Sequence, residues 1–160
     1  MTNNDILRRL RYALDISDPA MVSIFGLSGY SIEQSSLGAL LKKEDEAGYI
    51  ECNSDLMELF LDGLIIQKRG VKDPQSGHTE KNEAALNNNS ILKKLRIALE
   101  FKEEDMISIM KLVNIDISKS ELSALFRNIG HKNYKVCGDQ FLRNFLKGLT
   151  MRNRNVPLAD

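Results

Sequence analysis

Apolar residues along the chain fall at helical rather than strand spacing. Ile6, Leu7, Leu10 and Leu14 share one helical face, and Ile91, Leu92, Leu95 and Leu99 repeat that pattern farther on. Met21, Ile24, Phe25 and Leu27 form the stripe of a second helix, for which Asp18 is the expected cap and Pro19 the first helical residue. A break at Gly29, matched by Asn114, precedes a third helix. In the second half of the chain that helix opens on Ser118 and Glu121 and turns Leu122, Leu125 and Phe126 inward. A fourth begins near Ser54 or Asp139 and carries Leu56, Met57, Phe60, Leu61 and Leu64, or Phe141, Leu142, Phe145, Leu146 and Leu149. No segment alternates with strand period, so the expected fold class is all-α.

These patterns are one pattern written twice. Displacing the chain by 85 positions lays Asn4–Gly70 on Asn89–Asn155 without a gap, and roughly a third of the paired positions are identical. "CNSDLMELFLDGL" at 52–64 thus answers to "CGDQFLRNFLKGL" at 137–149. The expected organisation is a four-helix repeat at 1–70, a polar linker at 71–88 containing Pro74, Gly77 and His78, a second repeat at 89–155 and a short tail at 156–160. A repeat of that length holds a marginal core by itself, so the copies are expected to pack together within the chain or between chains.

Charge changes this picture, because the overall balance of 22 basic and 22 acidic residues hides an asymmetry. Residues 1–70 carry 7 basic and 11 acidic side chains, and residues 89–160 carry 13 and 8. The inversion is sharpest on the fourth helix. Opposite its apolar arc stand Glu58 and Asp62 in the first copy, Arg143 and Lys147 in the second. Like charges four apart disfavour a helix by roughly 0.2–0.5 kcal/mol. Isologous packing of the fourth helices would offset this by setting Glu58 against Lys147 and Asp62 against Arg143, with Gly63 and Gly148 marking the close approach. The plain alternative is that both charged faces are solvated.

Candidate contact chemistry is basic. The segment "RNIGHKNYKVCGD" groups Arg127, His131, Lys132, Tyr134 and Lys135, cations beside an aromatic of the kind that meets phosphates and unpaired bases. Its counterpart in the first copy holds Glu44, Asp45 and Glu46. A solvated loop resting on Tyr134 explains the same residues. Arg8, Arg9 and Arg11 recur as Lys93, Lys94 and Arg96, a basic face common to both copies that suits phosphate contact. Arg11 and Arg96 also stand four residues before Asp15 and Glu100. The second and third helices, joined by "LSGYS", have a helix-turn-helix outline, but Glu33 and Glu121 stand where phosphates would dock.

Catalytic and metal chemistry find little footing. Cys137 with His131 could be drawn as a nucleophile and base, yet Cys52 occupies the same place without the histidine. Cys52, Cys137, His78 and His131 lack metal-ligand spacing, and no phosphate-binding glycine loop or dinucleotide fingerprint is present, so neither metal nor cofactor is expected. The N-terminal stretch does not read as a secretory signal and no apolar run approaches a membrane span, which makes a cytoplasmic location the expectation.

"NDILRRLRYALD" and "ILKKLRIALEFKEEDM", which open the copies, and "KSELSALFRNIGHKNYKVCGDQFLRNFLKGL" in the second resemble the YehS-like family of small bacterial proteins. The resemblance spans nearly the whole chain. It implies a bacterial protein with a duplicated domain of unknown function, and it brings no catalytic or ligand-binding residues. The expected activity is non-catalytic binding or regulation of another macromolecule, protein or nucleic acid, mainly through the basic second repeat. The alternatives are a self-associating homo-oligomer that pairs acidic with basic halves and, less favoured, a thiol-dependent enzyme.

Overall fold

A computed structural model describes residues 1–70 and 85–155. His78, most of the expected linker and the expected tail lie outside these residues. Among those described, eight helices and no strands are formed: α1 (Asn3–Ala13), α2 (Asp18–Leu27), α3 (Gln34–Leu40), α4 (Ser54–Arg69), α5 (Asn88–Leu99), α6 (Glu103–Leu112), α7 (Lys119–Leu125) and α8 (Asp139–Arg154). The all-helical fold read from periodicity is the fold observed.

Local polar chemistry sets the helix ends. Thr2 opens α1 through a capping box: its hydroxyl accepts from the Asp5 amide, and the Asp5 carboxylate accepts from the Thr2 amide, both at 3.1 Å. Ser17, not Asp18, caps α2 by accepting from the Ala20 amide. Asp18 instead takes Arg11 at 2.7 and 3.0 Å, so Arg11 does not pair with Asp15. Arg96, likewise, donates to the Phe101 carbonyl rather than to Glu100 and lies over the Phe126 ring. Asn53 and Gly138 occupy the caps expected at Ser54 and Asp139, each one residue earlier. After α2 and α6 the chain turns through positive φ at Gly29 (89°) and Asn114 (61°), residue types that tolerate the left-handed region.

Within each repeat, the fourth helix packs along the second: α4 on α2, and α8 on α6. Gly63 and Gly148 make that approach possible. A Cβ on Gly63 would overlap the Ile24 carbonyl oxygen and stand 2.8 Å from its carbon. On Gly148 it would overlap the Ile109 carbonyl oxygen and stand 2.8 Å from Cγ2. The glycines therefore mark close approach inside each repeat, not the inter-repeat contact expected for them.

The repeats join by exchange. The first helix of each packs along the fourth helix of the other, α1 on α8 and α4 on α5, far more than on its own. Equivalent contacts close the two seams. Arg154 donates to the Tyr12 carbonyl (3.0 Å) and lies 3.3 Å from Asp15, while Arg69 donates to the Ile97 carbonyl (3.4 Å) and lies 3.7 Å from Glu100. One hydrophobic core runs through both repeats, including Leu10, Phe60, Leu95 and Phe145, all fully buried. Two cores too small to be secure are thereby merged into one.

Candidate functional site

A buried asparagine organises each repeat around the loop that leads into its fourth helix. Asn4 donates from Nδ2 to the carbonyls of Leu40 (2.8 Å) and Ile50 (2.9 Å), and its Oδ1 accepts from the Cys52 amide (2.9 Å) and the Tyr49 hydroxyl (3.0 Å). Asn89 repeats the arrangement with Leu125, Lys135 and the Cys137 amide. Every polar valence of Asn4 is filled, as its complete burial requires. An asparagine at the same place in both copies, three residues before Leu7 and Leu92 on the apolar face of its helix, was the sequence signal for this clamp.

The clamp buries Cys52 and Cys137. Burial, with the charges of Glu51 and Asp139 adding, pushes each thiol up to about 11, so both stay protonated near neutral pH. His131 lies exposed in the loop between α7 and α8, where its Nδ1 accepts from the Asn133 amide at 3.1 Å. Lys132 and Lys135 are exposed beside it, and Arg127 and Tyr134 are half-buried. Among the described residues no group of three or more His, Cys, Asp or Glu is arranged to hold a metal ion, and no helix is long and apolar enough to cross a membrane.

The two seams between the repeats differ in charge. At the α4–α5 seam Lys94, only 18 % exposed, lies 3.7 Å from Glu58 and is hydrogen-bonded to Asp62. The charge inversion on the fourth helix is thus answered within the chain, but by the first helix of the other repeat. Glu58 and Asp62 turn to Lys94 rather than to Lys147 and Arg143, and α4 and α8 are not each other's principal neighbours. Lys93 stays exposed.

At the α1–α8 seam, equivalence places Arg9 where Lys94 stands, and Arg143 and Lys147 where Glu58 and Asp62 stand. Cation then meets cation. A groove of about 610 Å³ follows this seam, bordered by Arg8, Arg9, Arg143 and Lys147 together with Tyr12 and Met151. No carboxylate among the described residues lines it. Arg8 is partly engaged by Asp5 and donates to the Lys42 carbonyl (2.8 Å), and Arg143 donates to Gln140 (2.9 Å). Arg9 is exposed and has no carboxylate within ion-pair distance among the described residues. The fold therefore brings together half of the shared basic face, Arg8 and Arg9, with the basic half of the charge inversion. It leaves Arg127, His131, Lys132, Tyr134 and Lys135 outside the groove. Nothing in the spacing had linked α1 of one repeat to α8 of the other, nor brought Tyr12 to this site.

A family model described as "Protein of unknown function (DUF1456)" matches the chain twice, over residues 3–70 and 88–155. The chain is also similar to the uncharacterized protein YehS of Escherichia coli (strain K12). The two are 41% identical over 152 residues, which span 95% of this chain and 96% of the relative. No solved structure matches.

Proposed function

We propose that this chain, which belongs to the DUF1456 family and carries its domain twice, is a non-catalytic module that binds nucleic acid through the basic groove between α1 of its first repeat and α8 of its second. One observation carries the reading. The two seams share a framework, and in the α1–α8 seam the framework gathers Arg8, Arg9, Arg143 and Lys147 along an open groove. Converging cations favour a polyanion, because each phosphate they neutralise releases condensed counterions. The exposed Lys132 and Lys135 lie just before α8 and extend the basic surface along that repeat. Protonated, buried thiols, and a His131 bonded within its own loop among the described residues, favour the non-catalytic reading.

Anisotropy of a labelled 20-nucleotide strand, titrated with the protein across a salt series, tests the reading. Binding should weaken steeply with salt, and Arg143→Glu with Lys147→Glu should reduce affinity at least ten-fold and flatten the salt dependence. Lys132→Glu should do less. No binding at low salt would end the reading. Retention of polyglutamate with no retention of the strand would redirect it to an acidic protein.

A further inference from the structure

The groove has a second half that phosphate contact leaves unused. α1 and α8 run in parallel: the Met1 amino group meets Asp139 at their starts (3.0 Å), and Asn153 and Arg154 meet the Ala13 and Tyr12 carbonyls at their ends (3.0 Å each). Lining residues are therefore ordered along the groove as they are in the chain. Arg9, Arg143 and Lys147 come towards the helix starts, and Tyr12, Thr150 and Met151 towards the ends. At the corresponding positions the other seam has Ile97, Ile65 and Ile66. The Tyr12 ring that lines the groove is thus replaced by an aliphatic side chain, Ile97, at the equivalent place of the other seam.

Resting on the nucleic-acid reading above, we propose that this groove takes one unpaired nucleotide unit, its phosphate at Arg9, Arg143 and Lys147 and its base against Tyr12 and Met151. Tyr12 is 52 % exposed, unusual for a ring on the seam of two packed helices. The Arg154 guanidinium lies 4.0 Å from the ring centroid and holds it in place while much of the side chain stays open. A fixed, half-exposed ring presents a stacking surface that any base can use. A groove of about 610 Å³ lies in the range of clefts that hold small organic ligands, roughly 300–1,000 Å³. Bases inside a duplex show their edges and not their faces, so an unpaired unit is the form that fits.

The test compares a labelled 12-nucleotide single strand, the same sequence as a duplex, adenosine monophosphate and inorganic phosphate, using wild type, Tyr12→Phe and Tyr12→Leu. Melting curves establish that both variants fold. The single strand should bind at least ten-fold tighter than the duplex. Tyr12→Phe should match wild type, and Tyr12→Leu should weaken single-strand binding about 5- to 100-fold without altering its salt slope. Competition by the mononucleotide, well beyond that of phosphate, supports the same site and identifies free nucleotide as a source. Equal binding of strand and duplex, with Tyr12→Leu within two-fold of wild type, overturns the base site and leaves phosphate binding standing. If neither strand nor duplex binds, both readings fall.

Discussion

The α4–α5 and α1–α8 seams are one interface used twice, and they differ in what the charges do. In the first, Lys94 sits between Glu58 and Asp62, a local arrangement complete within the chain. In the second, Arg9, Arg143 and Lys147 take the same places, and an open groove runs between the helices. Apolar residues that hold the helices together are nearly unchanged across the repeats, as Leu10 with Leu95 and Phe60 with Phe145 show. Exchange packing lets one sequence motif serve in two environments, because every first helix meets a fourth helix with its own history. Framework and surface charge can then diverge separately, and the seam whose groove lining holds no carboxylate among the described residues is the one that stays open.

The largest expected effect tests whether the frameworks beneath the seams are equivalent. Gly63→Ala and Gly148→Ala each force a methyl into a backbone carbonyl of the facing helix, and each should cost about 3 kcal/mol in denaturant unfolding. Gly63 is the tighter site and should cost the more. A loss below about 1 kcal/mol at either position would mean that the repeats do not share this approach. Next in size is the same reversal made at both seams. Lys94→Glu sets three carboxylates together at a poorly exposed place and should destabilise by about 1–2 kcal/mol. Arg9→Glu puts a carboxylate beside Arg143 and Lys147 and should lie within about 0.5 kcal/mol of wild type or be stabilising. Equal losses from the two reversals would erase the distinction between the seams.

Much of this architecture was legible in the sequence, and the rest failed for one reason. Helix number, core faces and the duplication follow from periodicity, which each repeat reports about itself. The charge inversion at Glu58/Arg143 and Asp62/Lys147 was also visible, but a helix sequence says which face is charged and not which helix will face it. Pairing like with like across a two-fold set α4 against α8. The fold instead satisfies its two-fold by exchanging first and fourth helices, so the partners are Lys94 and Arg9. Gly63 and Gly148 were read as close approach for a sound steric reason, again with the wrong neighbour: the carbonyls of Ile24 and Ile109 lie in their own repeats. Asn4 and Asn89 carried a plain signal, since a polar residue repeated amid core positions must find partners for all its hydrogen-bonding groups.

Acid response gives the smallest and most local distinction between the seams. Asp5 and Asp139 stand at the starts of α1 and α8, and both hold their protons less tightly than usual. For Asp5, burial acts to raise the pKa but is outweighed by the Thr2 amide and hydroxyl and by the Arg8 and Arg9 charges. For Asp139, the hydrogen bond from Asn88 leads, followed by the Met1 amino group. With folded pKa values below the unfolded ones, the unfolded chain takes up protons first as pH falls. The contribution of both carboxylates is therefore fully present above about pH 4 and is lost as pH drops through their folded values. Their equivalents at the other seam are Ser90 and Ser54, which do not titrate there. Asp5→Asn with Asp139→Asn should thus lower Tm by about 2 °C at pH 7, and the difference should shrink progressively as pH falls below about 4. A variant that runs parallel to wild type across this range would show that the start of the α1–α8 seam is not held by these charges, and that its cations owe their positions to packing alone.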